Sequence, residues 1–240
     1  MRHHVFELRQ YTLHPGQREV LISMFDRHFL ESQEAVGIRV IGQFRDLDRP
    51  DHFVWIRSFE DMVTRDASLR AFYGGPLWKA HREAANATMI DSDDVLLLRP
   101  AARGEPFGRL DDTRPGPDAD ARPASLVLGT VWLLHRPVDG DFLRFFEEQV
   151  RPVLVGAGGS PRACLQTEES RNTFPQLPVR NGEHAFVWCA TFAGEEGWSA
   201  YEAELERSLE WNAAVLPRLA AQVRGTQRLR LQPTARSLLR

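Results

Sequence analysis

Hydrophobic and polar residues alternate over several short stretches of the chain, which is the pattern of half-buried β-strands. In the first hundred residues the predicted strands are 4–13, 38–45, 52–60 and 89–98. Between them, residues 17–34, 61–72 and the stretch after Pro76 carry apolar side chains at three- and four-residue steps, as amphipathic helices do. The resulting order of strand, helix, strand, strand, helix and strand predicts a ferredoxin-like unit.

One motif of this unit returns later in the chain. The tripeptide Phe-Val-Trp at 53–55 recurs at 186–188, and in both copies a phenylalanine follows the tryptophan by four residues and a further tryptophan comes 19 residues after that phenylalanine. One shift of 133 residues relates all of these positions, which chance does not readily produce. We therefore expect two copies of one structural unit.

The second copy has the same predicted order of elements. Its strands are predicted at 125–135, 162–167, 183–192 and 226–232, and its helices at 139–155 and 195–222. The loop 168–182 makes the connection to the repeated strand ten residues longer than in the first copy. Residues 101–124 are rich in Pro, Gly, Asp and Arg, and we predict that they form an exposed linker. The expected domains are therefore 1–100 and 125–240.

Each ferredoxin-like sheet has two faces, and both of them must be covered. Helices cover one face, and the other face needs a second sheet. The two copies can supply this to each other by packing sheet to sheet. The predicted fold class is therefore α+β, with two ferredoxin-like β-α-β-β-α-β units packed as a pseudo-dimeric α/β barrel.

Residues 7–16 read Glu-Leu-Arg-Gln-Tyr-Thr-Leu-His-Pro-Gly. This run resembles the N-terminal signature of the NIPSNAP family, Glu-Leu-Arg-x-Tyr-x-Leu-x-Pro-Gly. The strand around Trp55 and the segment 73–78 also resemble that family, although Leu77 replaces the usual glutamate. The second copy keeps the Phe-Val-Trp strand and Trp211 but not the signature, so it is identified as a diverged copy. The resemblance implies a dimeric α/β barrel related to antibiotic-biosynthesis monooxygenases, with no settled reaction and no catalytic residue to carry over.

The first and third strands carry the residues best suited to chemistry. Glu7, Arg9 and Tyr11 share one face of the first strand, and Trp55 and Arg57 share one face of the third. These strands are neighbours in the ferredoxin-like arrangement, so the five side chains could converge on an enclosed pocket. The two arginines could hold a carboxylate or enolate oxygen, and the tyrosine could donate a hydrogen bond or move a proton.

Two helical residues complete the set of pocket candidates. Trp78 and His81 share one face of the helix predicted after Pro76. His28 lies on the apolar face of the predicted helix 17–34. A histidine on such a face is more often a hydrogen-bonded core residue than a catalytic one. We interpret His28 and His81 in this way.

The same residues also allow a purely structural interpretation. Glu7 could form an internal ion pair with Arg9 or Arg57 that fixes the barrel, and Tyr11 could satisfy a backbone carbonyl. The large side chains at 53, 55, 57 and 59 could fill the barrel interior completely. An open cavity next to Arg57 and Tyr11 would favour a pocket, and a packed interior would favour a scaffold.

Composition narrows the classes of function. The net charge is −3, and acidic and basic residues are interleaved, which argues against nucleic acids and anionic membranes as partners. No apolar run has transmembrane length, and the first residues lack the apolar stretch of a signal peptide, so we expect a cytoplasmic protein. Cys164 and Cys189 lie in strand-like runs and are interpreted as buried thiols. No metal-ligand spacing, phosphate-binding loop or hydrolase motif occurs, so we expect no metal and no cofactor.

Two classes of function stay open. The first is a cofactor-independent enzyme, a monooxygenase or a proton-transfer or isomerase-like enzyme, acting on an aromatic or polyketide-like small molecule. The second is a non-catalytic binding or scaffold protein with a barrel filled by side chains. Either protein could form a homodimer of two-domain chains.

Overall fold

The structure is a computed structural model that describes residues 3–101, 106–108, 110 and 113–240. The described strands are β1 (Val5–Leu13), β2 (Arg39–Asp46), β3 (His52–Phe59), β4 (Met89–Pro100), β5 (Leu126–Leu134), β6 (Ala163–Thr167), β7 (Ala185–Phe192) and β8 (Val223–Pro233). The described helices are α1 (Arg18–Met24), α2 (Leu30–Glu34), α3 (Met62–Gly74), α4 (Pro76–Asn86), α5 (Gly140–Phe145), α6 (Arg151–Gly156), α7 (Glu195–Arg207) and α8 (Leu216–Ala220). Each of these helices is too short or too polar to cross a bilayer.

The helices are less regular than the sequence predicts. The predicted helix 17–34 contains a π-helical turn at Phe25–Phe29 between α1 and α2, and Phe146–Val150 forms the matching turn between α5 and α6. The predicted helix 195–222 is interrupted at Ser208, which has an extended backbone, and a third π-helical turn at Trp211–Val215 then leads into α8. The first two π-helical turns therefore belong to the framework that both halves share, whereas the third has no counterpart in the regular helix α4.

The eight strands close into one antiparallel barrel in the order β1-β3-β2-β8-β5-β7-β6-β4. Within the halves, β1 pairs with β3, and β5 with β7, over eight residue pairs each. The two contacts between the halves, β2 with β8 and β4 with β6, extend over only three pairs each. Strands from both halves are therefore needed to close the barrel, which confirms the predicted pseudo-dimeric α/β barrel.

The interior of the barrel is packed with aliphatic side chains. Ile56 and Val54 of β3 point inward with their counterparts from the other strands, and only about 20 Å³ of free space remains next to Leu8 and Val187. That volume holds no more than a water molecule. The described residues of the barrel interior therefore leave no ligand cavity.

The opposite face of β3 lies under the helices of the first half, with Phe53, Trp55 and Phe59 in the apolar layer between sheet and helices. The alternative in which this face of β3 fills the barrel interior is therefore wrong. Side chains alternate across a strand, and the narrow interior takes the smaller aliphatic set of β3. The larger aromatic and charged set lies in the sheet–helix layer.

The segment between the two halves is only partly exposed. Phe107 and Leu110 are buried at one end of the barrel, where the Phe107 ring lies 5.9 Å from the ring of Phe6. Arg114 donates hydrogen bonds to the backbone oxygens of Val40 and Arg236. The prediction of an exposed linker is wrong for these residues, because their side chains anchor the segment to the barrel. Residues 102–105, 109, 111 and 112 lie outside the described residues, and the domain bounds stay a prediction.

Candidate functional site

The pairing of β1 with β3 brings the predicted residues together. Glu7 lies opposite Arg57, Arg9 opposite Trp55 and Tyr11 opposite Phe53. These side chains point away from the barrel interior and into the layer beneath the helices of the first half. The expected convergence therefore occurs, but it lies outside the barrel.

Glu7 forms three salt bridges at the centre of this layer. Its Oε2 lies 2.7 Å from Nε of Arg57 and 2.8 Å from Nη1 of Arg9, and its Oε1 lies 2.6 Å from Nη2 of Arg65. All four side chains are at most 1 % exposed. We refer to Glu7, Arg9, Arg57 and Arg65 as the guanidinium cluster.

Arg65 was not among the site residues predicted from the sequence. This residue lies on α3. Asp61 caps the N-terminus of that helix, because its carboxylate accepts a hydrogen bond from the backbone N–H of Thr64 at 2.7 Å. Arg65, Leu69 and Phe72 follow each other at four- and three-residue steps and are all buried. A charged residue on the apolar face of a helix was therefore a signal that could have identified Arg65.

Glu7 carries its negative charge at neutral pH although it is buried. Burial alone would raise the pKa of Glu7, but the charges of Arg57, Arg9 and Arg65 outweigh it and hold that pKa well below its usual range. Burial lowers the pKa of Arg65, and Glu7 opposes this effect. Arginine stays protonated even so. One negative charge therefore faces three positive charges in a buried site.

The remaining described partners of the cluster are neutral. Tyr11 Oη accepts a hydrogen bond from Nε of Arg9 at 3.0 Å, and Gln33 Oε1 accepts one from Nη1 of Arg57 at 3.2 Å. Burial raises the pKa of Tyr11, with Arg9 opposing it, so the phenol keeps its proton. Nη2 of Arg57 has no hydrogen-bond partner among the described residues.

A small aromatic pocket adjoins the cluster. Its free volume is about 30 Å³, which accommodates one water molecule. It is lined by Tyr11, Leu21, Phe25, Phe29, Gln33, Trp55, Phe72, Tyr73, Trp78, Ala85 and Met89. The Trp55 ring lies 4.8 Å from the ring of Phe25 and 5.0 Å from Cζ of Arg57, so this indole lies between the pocket and the charges. In this structure the pocket is too small for an organic ligand.

Trp78 and His81 have different positions on α4. The Trp78 ring lies 4.9 Å from that of Tyr73 and 5.5 Å from that of Phe29, so it covers the pocket. His81 does not line the pocket, because its ring stacks on that of His28 at 3.9 Å. Burial, then His81 and Arg27, lower the pKa of His28. Six of the seven predicted residues thus lie at the cluster or the pocket, and His81 lies outside them.

The second half contributes to this layer through the loop between β6 and β7. Asn172 Oδ1 and Thr173 Oγ1 accept hydrogen bonds from Nη1 of Arg65 at 3.0 and 3.3 Å. The Phe174 ring stacks on that of Tyr73 at 5.9 Å. The layer beneath the helices of the first half is thus built from residues of both halves.

The NIPSNAP family model matches residues 6–103, the stretch that carries β1 to β4 and the guanidinium cluster. We refer to this matched stretch, residues 6–103, as the NIPSNAP domain. No match was found among the curated proteins.

Three solved structures share the fold of the whole chain. A candidate monooxygenase from Fusobacterium nucleatum subsp. nucleatum is 7% identical with a TM-score of 0.57, covering 97% of this chain and 93% of that one. A candidate monooxygenase from Lactobacillus acidophilus is 14% identical with a TM-score of 0.54, covering 98% of both chains. An anthrone oxidase-like protein is 16% identical with a TM-score of 0.55, covering 96% of this chain and 91% of that one. At these identities the similarity is one of fold.

The second half builds the layer matching that of the NIPSNAP domain from other residues. Its register pairs Leu128 with Ala190, Thr130 with Trp188, and Trp132 with Phe186. These pairs occupy the places of Glu7 with Arg57, Arg9 with Trp55, and Tyr11 with Phe53 in the first half. The layer is apolar there except for Thr130.

No metal site accompanies the NIPSNAP domain in the part of the chain that the structure describes, since no three His, Cys, Asp or Glu residues lie close enough to hold an ion. Both cysteines are free thiols. Burial raises the pKa of Cys164 to about 11 and that of Cys189 to about 12, so neither is a thiolate at neutral pH.

Proposed function

We propose that the NIPSNAP domain binds a small organic anion between its sheet and its helices, at the guanidinium cluster and the aromatic pocket. The observation that carries this proposal is the comparison with the second half. There, Leu128, Thr130 and Ala190 occupy the positions of Glu7, Arg9 and Arg57, and the strands keep the same register. The fold therefore does not require buried charges at these positions.

Buried charges are costly to keep without a function. Moving one ion from water into a protein interior costs several kcal/mol, and replacing a buried ion pair by apolar residues of similar volume is often neutral or stabilising. The cluster also has two more positive than negative charges, and Nη2 of Arg57 is unpaired among the described residues. A ligand carboxylate or enolate would supply the missing negative charge.

The walls of the pocket favour an aromatic or polyketide-like ring. Tyr11, Trp55, Phe29 and Tyr73 present their rings to the free space. A site for a small organic molecule usually has roughly 300 Å³ or more, so binding requires the pocket to open. Trp78 is the covering residue, and α4 joins α3 at Gly75, where the backbone is extended. We expect α4 to move outward when a ligand enters.

The chemistry proposed for this site is cofactor-independent. Arg57 and Arg9 would stabilise negative charge that develops on a substrate oxygen, and the Tyr11 phenol would donate a hydrogen bond or a proton to it. Glu7 is a poor general base, because its pKa is held low. Proton transfer or oxygenation of a stabilised carbanion suits this arrangement, and the monooxygenase-type proteins that share the fold are consistent with it.

The second candidate function is a scaffold without a ligand. The packing favours it, because the barrel retains about 20 Å³ and the aromatic pocket about 30 Å³ of free space. The two proposals differ in what an added anion does to the protein.

A thermal-shift screen with aromatic acids, polyketides and haem separates the two functions. A ligand at 100 times its dissociation constant stabilises the native state by about 2.7 kcal/mol, which raises the melting temperature of a protein of this size by several degrees. We expect an aromatic acid to raise the melting temperature of the wild type in this way, and we expect no such rise for Arg57→Lys. Arg45→Lys is the matched control, since Arg45 is also buried but pairs with Glu19 outside the cluster. A wild-type chain that no compound stabilises would support the scaffold.

A further inference from the structure

The loop 168–182 belongs to the second half but packs against the first half of the molecule. We call this loop the strap. Its buried side chains Phe174 and Val179 belong to the apolar layer of the NIPSNAP domain, not to that of the second half. The corresponding connection in the first half, between β2 and β3, is a short turn. The additional length of the strap therefore places residues against the candidate site.

The strap is held in a defined shape. Asn172 Oδ1 accepts a hydrogen bond from the backbone N–H of Phe174 at 3.0 Å, and its Nδ2 donates to the backbone oxygen of Leu177 at 2.9 Å. Arg180 ties the end of the strap to β4, through its backbone N–H to the oxygen of Val95 at 2.9 Å and through its side chain to Asp94 at 3.3 Å. The strap is thus fixed both internally and to the first half.

Its contact with the cluster is made by uncharged groups. Asn172 Oδ1 and Thr173 Oγ1 both accept from Nη1 of Arg65, whose other nitrogens reach Glu7. These acceptors hold the guanidinium in place without adding negative charge. A carboxylate in the same place would cancel one of the two excess positive charges.

Its contact with the pocket is made by an aromatic ring. Phe174 stacks on Tyr73 at an interplanar angle of 23°, and the Tyr73 hydroxyl accepts a hydrogen bond from Arg57 at 3.4 Å. Tyr73 lines the pocket, so the bulk of Phe174 behind it limits how far that wall can move.

We propose that the strap is the specificity element of the NIPSNAP domain, an inference that rests on the function proposed above. Asn172 and Thr173 act as positioning residues that orient Arg65 and preserve the excess positive charge for the anion. Phe174 sets the size of the ring that the pocket admits.

Binding of four probes to the full chain tests this inference. The probes are benzoate, 2-naphthoate and their uncharged analogues benzamide and 2-naphthamide. The dissociation constant of each probe is measured by tryptophan fluorescence. Asn172→Asp should weaken binding of both acids about tenfold and leave the amides unchanged, because the new carboxylate competes for Arg65. Phe174→Leu should strengthen the binding of 2-naphthoate several-fold relative to the binding of benzoate, because the smaller side chain lets the Tyr73 wall move. Gln176→Ala is the control, because Gln176 is exposed on the strap. It should change neither the ratio of acid to amide affinity nor the ratio of 2-naphthoate to benzoate affinity.

The outcomes separate the two proposals. If the wild type binds an acid and Arg57→Lys abolishes it, but both strap variants keep the wild-type ratios, the strap inference is overturned and the function stands. Equal losses of acid and amide in Asn172→Asp would mean a merely structural strap and would also overturn it. A wild-type chain that binds neither acid overturns both proposals.

Discussion

The two halves of the barrel share a framework and differ in what lies between sheet and helices. The first half encloses one carboxylate and three guanidinium groups, and the second half places Leu128, Thr130 and Ala190 at the positions of Glu7, Arg9 and Arg57. Both halves keep the same strand pairing. The comparison teaches that this layer tolerates either chemistry, so the more costly one requires an explanation beyond folding.

The same comparison shows which features are not specific to a site. The indole nitrogens of Trp55 and Trp188 lie at equivalent positions, and neither has a hydrogen-bond partner among the described residues. The π-helical turns Phe25–Phe29 and Phe146–Val150 also occupy equivalent places. Features present in both halves belong to the framework, and only the differences mark the candidate site.

The largest effect is expected at the centre of the cluster. Glu7→Gln leaves three buried guanidinium groups without a carboxylate and should reduce the free energy of unfolding by about 3–5 kcal/mol, as for one partner removed from a buried ion pair. Leu128→Met at the equivalent place keeps volume and polarity and should cost less than about 1.5 kcal/mol. Urea denaturation measures both variants.

The pH dependence sharpens this prediction. The folded-state pKa of Glu7 lies below the unfolded value, so its stabilisation is fully present above the unfolded pKa, near pH 4, and is lost as the pH falls. Glu7→Gln should lack this part of the acid destabilisation. A loss of less than about 1 kcal/mol at pH 7 would mean that the charges are not tightly coupled.

A second contrast concerns Asp26. Burial raises the pKa of this carboxyl to about 6, although the charge of Arg236 opposes the shift. A carboxyl with a raised folded-state pKa stabilises the fold below the unfolded pKa of about 4, and this contribution is lost as the pH rises to 6. The two-unit difference corresponds to about 3 kcal/mol as an upper bound. Asp26→Asn should therefore stabilise the protein at pH 7.5 and lose this advantage below pH 4.

The second half supplies the control for Asp26. Glu147, in the matching π-helical turn, pairs with Arg151 near the surface. Glu147→Gln should change the free energy of unfolding by less than about 1 kcal/mol at either pH. If Asp26→Asn gives no more stabilisation than Glu147→Gln at pH 7.5, then burial of the Asp26 carboxylate does not destabilise the fold.

The smallest contrast lies at the position equivalent to Arg9. Thr130 is buried, and its hydroxyl has no hydrogen-bond partner among the described residues. Thr130→Val should stabilise the protein by about 1 kcal/mol, because an unsatisfied polar group is removed. Thr167→Val should have the opposite sign, since the Thr167 hydroxyl donates to Glu183 and accepts from the backbone of Ala185. Equal signs in thermal melts would contradict this assignment.

Much of the fold could be predicted from local patterns. The recurring Phe-Val-Trp strand identified the duplication, and the period-two spacing of Glu7, Arg9 and Tyr11 placed them on one face beside Arg57. Which face of β3 enters the barrel could not be predicted, because Phe53, Val54, Trp55 and Ile56 make both faces apolar.

The missing parts of the site depend on contacts between distant segments. Arg65 is brought to Glu7 by the packing of α3, and Asn172 and Phe174 reach the first half from a loop of the second half. Phe107 lies in a segment with the composition of a linker, yet its ring fills the end of the barrel. Composition and periodicity describe a segment by itself and carry no information on such contacts.

The most direct measurement replaces the whole cluster by the chemistry of the second half. The variant Glu7→Leu, Arg9→Met, Arg57→Met and Arg65→Met is compared with the wild type in urea denaturation and in binding of 2-naphthoate. We predict a folded variant with a free energy of unfolding within about 2 kcal/mol of the wild type and no binding of the acid. A variant that fails to fold, or that still binds the acid, would contradict the claim that the buried charges serve a ligand and not the fold.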